Sequence, residues 1–337
     1  MQLEIRKPDD FHLHLRDGDM LANVLPLSAA QFARATVMPN LSPKILTAAD
    51  VESYRARILS NLKGEAFEPL MTLYVNDNTT PEMIAEAKKI GTVAGKVYPK
   101  NMTTGSDDGV SDFNRLYPVV EAMQECGMLL LLHGEDPTPN VFCLKREELF
   151  LPILKKSVAD FPRLNIVFEH VSSAAAVSLI SELPDTVAAT ITVHHLILTL
   201  DDVIGGMLKT HHFCKPIAKT PKDRNALLMA ALSGNPKFFF GSDSAPHAQK
   251  KKEASSGMAG IFTAPVALPL LADLFEQNNA LEKLESFVSQ FGAECYGLPL
   301  SQEKLVLEKK EWTVPLEYGG VVPFKAGETL NWHVVPK

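Results

Sequence analysis

The chain reads as an α/β protein: a (β/α)8 TIM barrel with a small C-terminal appendage, one domain over residues 1–337. Three observations predict it. Short apolar runs alternate with longer amphipathic stretches, as strands and helices do when they take turns around a parallel sheet. Eight such runs can be counted, the number a closed barrel needs. Several of them end on a histidine or an aspartate, at the end of the strand where barrel enzymes carry their chemistry.

The apolar runs cover 11–15, 35–38, 70–75, 93–98, 128–133, 165–170, 187–193 and 237–241. They are rich in Val, Ile, Leu and Phe with little polar alternation, as expected of strands buried on both faces. Helical patterns cover 47–61, 81–89, 111–126, 145–160, 173–183 and 220–232. Pro81 and Pro221 each follow a threonine, which suits an N-cap and a first helical position. Two more helical patterns, 264–277 and 281–296, come after the eighth run. The tail from 305 to 335 reads as short strands and turns, punctuated by Trp312, Tyr318-Gly319-Gly320, Pro323 and Trp332, and is expected to pack on the barrel.

Composition narrows the function. Hydrophobic residues at 46% and charged residues at 22% are ordinary for a globular protein with a large core. A formal net charge of −7 argues against nucleic acid or an anionic membrane as partner. Lys250-Lys251-Lys252 reads as a short solvated loop. Cys126, Cys143, Cys214 and Cys295 form no CxxC pair and suggest reduced thiols in a cytoplasmic protein. The N-terminal stretch lacks the apolar segment of a signal peptide, and no apolar run is long enough to predict a membrane span.

His12 and His14 end the first run. Residues two apart in a strand point to the same side, so both imidazoles can grip one metal ion, and imidazole suits zinc. His133 closes LLLLH, His170 closes NIVFEH, and Asp243 follows FFFG. Any one alone would be an ordinary buried or capping group. Five such side chains at four strand ends exceed what one tetrahedral zinc requires, and point to two metal ions about 3.5–4 Å apart, an arrangement suited to hydrolysis. Two cations need a bridging anion. The fourth run offers no carboxylate at its end but does offer Lys96, whose amine, once neutral, can add carbon dioxide to form a carbamate. Lys100 competes for the role but lies past Pro99.

With these residues in view, the chain resembles the amidohydrolase superfamily and, within it, dihydroorotases of the shorter bacterial type. The resemblance rests on FHLHLRDG (11–18), MPN (38–40), GKVYPKNMTTGS (95–106), LLHGE (131–135), FEHVS (168–172), CKPIAK (214–219), GSDSAPH (241–247) and SSGMAGIFTAP (255–265), in collinear order over nearly the whole chain. It implies two Zn2+ ions bridged by carboxylated Lys96 and a hydroxide. One ion would take His12, His14, Lys96 and Asp243; the other Lys96, His133 and His170. It also implies Arg16, Asn40 and His247 on a substrate carboxylate, Lys215 and Ala259-Gly260 along the pocket, and Thr103 and Thr104 on a closing loop. Lys215 departs from relatives that carry an apolar residue there, but that contact is expected from backbone. The reaction implied is reversible closure of N-carbamoyl-L-aspartate to L-dihydroorotate in pyrimidine synthesis, with Asp243 moving the proton, in a homodimer.

The residues alone fit that reading. The Arg16 fork, two residues past His14, suits a carboxylate; its alternative is an ion pair with Asp17 or Asp19. Asn40 either donates to the substrate or makes a turn. His194 and His195 end the seventh run and are expected to make contacts behind the ligands, while His211, His212 and His333 are expected to be structural. A hydantoinase or allantoinase would share the ligands; Arg16, Asn40 and His247 favour a substrate with a free carboxylate. A non-catalytic barrel would be expected to lack ligands, and here every ligand position is filled.

Overall fold

A computed structural model describes residues 1–336; Lys337, the last residue of the expected domain, lies outside the described residues. Strand β1 (Gln2–Arg6) stands apart from the barrel. The eight barrel strands follow in chain order: β2 (Asp9–Leu13), β3 (Arg34–Val37), β4 (Glu68–Val75), β5 (Ala94–Val97), β6 (Leu129–Leu132), β7 (Ile166–Phe168), β8 (Val187–Ile191) and β9 (Phe238–Phe240). Each pairs in parallel with the next. The ring closes through the ends of its first and last strands, where the N–H of Asp243 donates to the His12 carbonyl at 2.9 Å and that of His14 to Ser244 at 3.1 Å. The (β/α)8 barrel read from the sequence is present, and all eight strands lie within or beside their expected runs.

The helices are α1 (Gly18–Ala29), α2 (Ala48–Asn61), α3 (Pro81–Lys89), α4 (Tyr117–Cys126), α5 (Arg146–Asp160), α6 (Ala174–Glu182), α7 (Val193–Ile197), α8 (Asp201–Ile204), α9 (Pro221–Ser233), α10 (Gln249–Lys252), α11 (Ala267–Gln277) and α12 (Phe291–Cys295). The threonine-proline starts behave as expected: Thr80 and Thr220 accept from backbone N–H groups three residues on, with proline in the first turn. Thr47 and Asp50 form a reciprocal capping box on α2.

Two hydrophobic clusters divide the core. The smaller fills the barrel interior, with Phe11, Met38, Leu70, Leu129, Leu131 and Phe239 among its members, and is plugged from below by Tyr296 just after α12. Phe11 lies 4.7 Å from the Tyr296 ring and 5.3 Å from Phe239. The larger packs helices against the outside of the strands and includes Leu13. The β2–β3 register shifts between Asp10 and Leu13. That irregularity lets the adjacent Phe11 and His12 both serve the interior, as bulges near sites commonly do.

Several expectations change at the boundaries. The 187–193 run ends at Ile191, and His194 and His195 lie in α7, not on a strand. The 111–126 pattern splits into a 3-10 turn (Phe113–Leu116) and α4. The 281–296 pattern splits into a 3-10 turn (Leu281–Lys283), a π-helical turn (Ser286–Gln290) and α12. The tail holds two real strands, β10 (Lys304–Thr313) and β11 (Thr329–Val334), which form an antiparallel sheet in the order β1-β10-β11. Trp332 of β11 is fully buried, and its Nε1 donates to Glu276 of α11 at 3.0 Å. Lys309 of β10 reaches the same carboxylate at 2.7 Å. Among the described residues, no helix is long and apolar enough to cross a membrane.

Candidate metal centre

His12 and His14 leave the mouth end of β2, and both turn an Nε2 toward one carboxylate oxygen of Asp243, at 3.4 and 3.2 Å. One donor atom from each of the three lies within 4.8 Å of the other two. Burial pushes the Asp243 carboxyl up, but the hydrogen bond with His14 and the facing imidazoles of His12, His14 and His194 outweigh it. The net effect holds Asp243 well below the ordinary carboxylate range. The other nitrogen of His12, Nδ1, lies 2.7 Å from Glu169, a buried carboxylate that also accepts from Thr190 at 2.6 Å. A carboxylate behind a histidine in this way fixes which imidazole nitrogen faces outward.

His133, directly after β6, and His170, two residues after β7, bring Nδ1 and Nε2 to 3.1 Å of each other. Two nitrogens on one tetrahedral zinc, with bonds of about 2.0–2.1 Å, would stand about 3.4 Å apart. The far nitrogen of His133 meets buried Glu135 at 2.9 Å. Ring centroids of His170 lie 4.7 Å from His133 and 5.0 Å from His12, so the two groups of donors adjoin. Burial holds His133 below its ordinary value and His170 well below, with the charge of Lys96 acting on both in the same direction.

Lys96 lies within β5, fully buried, and its Nζ has no hydrogen-bond partner. Burial lowers its pKa to about 8, against the opposing pull of Glu169 and Asp243. A buried amine with no partner costs stability unless something else binds it. The orphaned Nδ1 atoms of His14 and His170 add to that debt. The donor set therefore fits a metal centre.

Backbone conformation places two of these side chains. His170 and Asp243 have φ of 40° and 41°, in the left-handed region that non-glycine residues seldom adopt. At the exit of β7 this kink brings the neighbours Glu169 and His170 into the same site, although alternation would send them to opposite faces. Such conformations cost about 1–3 kcal/mol each and cluster at functional sites.

Beside the donors lies a small pocket lined by His14, Arg16, Asn40, Lys215 and Asp243, with Thr103, Thr104 and Ala259 above. Arg16 is held by its Nε to the Pro246 carbonyl at 3.0 Å, and its Nη2 lies 3.1 Å from Nε2 of His247. That same Nε2 is 3.0 Å from the Ala259 carbonyl. In its neutral form it either accepts from Arg16 or donates to Ala259, so a ligand that engages Arg16 selects the tautomer. Asn40 donates to the Thr104 carbonyl at 3.0 Å, and the Thr104 hydroxyl faces the Ala259 carbonyl at 3.4 Å, so the loop carrying Thr103 and Thr104 rests on the pocket. Gly260 closes the wall at φ +143°, where a Cβ would come within 2.5 Å of the Ala245 carbonyl.

Sequence reasoning gave no role to Glu169, Glu135 or Thr190. The two glutamates stand inside the quoted segments FEHVS and LLHGE, and their adjacency to the histidines was the available signal. Lys252, expected in a solvated loop, is buried and donates to the carbonyls of Phe213, Met258 and Gly260 at 2.9, 2.9 and 2.6 Å, tying the pocket wall together. His211 pairs with Glu253, His212 with the Asp202 carbonyl and His333 with Glu308, all outside the donor cluster.

No protein-family model matches the chain. A dihydroorotase of Teredinibacter turnerae is 48% identical over 338 residues, covering 98% of either chain. Among solved structures, the dihydroorotase of Campylobacter jejuni is 44% identical, with a TM-score of 0.91 over 99% of this chain and 97% of that one. The Saccharomyces cerevisiae dihydroorotase, in complex with 5-fluoroorotic acid, is 38% identical, with a TM-score of 0.93 over 100% and 99%.

Proposed function

The chain belongs to the dihydroorotase family of amidohydrolases, and on that premise we propose that the donor cluster at the mouth of its barrel is the centre that opens and closes the dihydroorotate ring with bound zinc. One observation carries the reading: donors from separate strand ends converge at the barrel mouth, where Lys96 is fully buried and its amine has no hydrogen-bond partner. His12, His14 and Asp243 would hold one Zn2+ and His133 and His170 the other, with Lys96, as its carbamate, a ligand to both. When bound, the metal pair would acidify a water near neutral pH and supply positive charge at the amide carbonyl.

The chain's own residues do the rest. In hydrolysis, water oxygen bonds to the ring amide carbon and the C–N bond breaks. Asp243, kept ionised by His14 and its neighbours, takes the proton from the attacking water and gives it to the departing nitrogen. In synthesis the steps reverse and water leaves. Arg16, with Asn40 and His247, receives the substrate carboxylate that does not react. The Lys215 backbone and Ala259 hold the ring, and the loop with Thr103 and Thr104 closes over it. Glu169 and Glu135 orient His12 and His133.

The barrel and its appendage act as one domain, supported by a single outer core that takes in Leu305, Leu307 and Trp332 beside barrel residues. The enzyme works in the cytoplasm as a homodimer, a reading that rests on family resemblance and, for the compartment, on four unpaired cysteines. The test is to follow loss of the ultraviolet absorbance of L-dihydroorotate with zinc-loaded protein, with Asp243→Ala as control. Turnover that disappears in the control supports the reading. A folded, zinc-bearing protein without turnover would sink it.

A further inference from the structure

We propose that His194, His195 and Cys214 form a separate binding site for a single thiophilic transition-metal ion of the Zn2+ class, with the Pro216 carbonyl as fourth donor. Nothing in the ring-opening chemistry uses these residues. Helix α7 begins at the N-cap Thr192, whose side chain accepts from the His195 N–H, and the first turn then carries two histidines in succession. Cys214 comes from the loop after α8.

The three side chains converge. One donor atom from each lies within 4.8 Å of the other two. Nε2 of His195 is 3.8 Å from Sγ of Cys214, and the Pro216 carbonyl oxygen sits between them at 2.9 Å from the nitrogen and 3.2 Å from the sulfur. Nδ1 of His195 is braced by the Thr192 hydroxyl at 2.8 Å, so Nε2 is the nitrogen aimed into the cluster. His194 supplies the independent observation: it is fully buried and neither of its ring nitrogens has a partner.

An imidazole buried without partners costs stability, and a metal ion removes that cost at one nitrogen. Two imidazoles, a thiolate and a neutral oxygen suit zinc and other borderline-to-soft ions, and do not suit Mg2+ or Ca2+. Binding releases the Cys214 proton, while the His195 ring proton moves from Nε2 to Nδ1, where the Thr192 hydroxyl can accept it; the carbonyl that accepted from both is thereby freed to coordinate. Burial pushes the Cys214 thiol up to about 12, so without metal it stays protonated and unreactive. Metal coordination deprotonates a thiol outright.

The donor set at the barrel mouth contains only nitrogen and oxygen, which gives the test its discrimination. The metal-free full chain is titrated with Co2+ while the near-ultraviolet sulfur-to-cobalt charge-transfer absorption is followed. The expected result is a thiolate band in the wild type, complete loss of that band in Cys214→Ser, and one Co2+ fewer bound per chain. His194→Gln, a second variant that leaves the sulfur in place, is expected to weaken the band at a given cobalt concentration by tenfold or more in apparent affinity. A saturated wild type without the band overturns the proposal, and so does a band that survives in Cys214→Ser, which would assign it to another thiol. If Cys214→Ser fails to fold, the wild-type band and its weakening in His194→Gln decide the matter.

Discussion

Glu169 meets Nδ1 of His12 at 2.7 Å, and neither side chain touches solvent to any useful extent. The carboxylate accepts a hydrogen bond from the His12 Nδ1–H, which leaves Nε2 as a lone pair pointing at the Asp243 side of the site. Glu169→Gln keeps the shape and loses the charge. Zinc affinity is expected to fall about 10–100-fold. Competition against a chromophoric chelator measures it, and an unchanged affinity would falsify the orienting role.

Arg16 offers a planar fork to a carboxylate, with its Nε already committed to the Pro246 carbonyl. Removing one partner of a desolvated charge pair costs about 2–5 kcal/mol. Arg16→Met should therefore lower kcat/KM for L-dihydroorotate by on the order of 10²-fold or more. A cyclic amide with the same ring but no carboxylate should lose far less. Equal losses on the two substrates would assign Arg16 to something other than carboxylate recognition.

Lys96 is expected to need carbon dioxide. Metal-free protein reconstituted with zinc in CO2-depleted buffer should regain little activity, and added bicarbonate should restore it. Lys96→Met should remain inactive with or without bicarbonate. Full recovery in the depleted buffer would show that a plain amine suffices.

Glu276 clamps the appendage through Lys309 and the Trp332 indole. The Lys309 hydrogen bond, ahead of that from Trp332, holds its carboxyl below the ordinary 4.5. A folded-state pKa below the unfolded one gives stabilisation that is present above the unfolded value and is lost as pH falls through the folded value. Melting temperature should thus drop on acidification below about pH 4.5 more steeply in the wild type than in Glu276→Gln. Parallel curves for the two proteins would contradict this.

The barrel was legible because its strands are buried on both faces and so read as unbroken apolar runs. His12, His14 and Asp243 were legible for a related reason, since polar residues at the ends of such runs stand out. Glu169 did not stand out. Counting back from an inward His170 gives it the outer face, whereas Val167 inside and Phe168 outside place it inward, and the kink that turns His170 in beside it occurs without a glycine to announce it. Lys252 was misread for the opposite cause: it looks like its solvated neighbours Lys250 and Lys251, and only the fold brings three carbonyls to it. The strand end assigned to His194 and His195 failed because Thr192 caps a helix one residue after β8, and a five-residue helix leaves no periodicity to read.

Strand β1 pairs with β10 residue for residue, Gln2 opposite Glu308 and Arg6 opposite Lys304. On the ribosome, β1 emerges long before its partner exists. The segment carrying His12 and His14 is therefore made early and anchored late. Until β10 arrives, β1 exposes an unpaired edge, the kind of surface on which chains aggregate or recruit chaperones. The order of synthesis thus makes later-built strands the lock on earlier-built ligands.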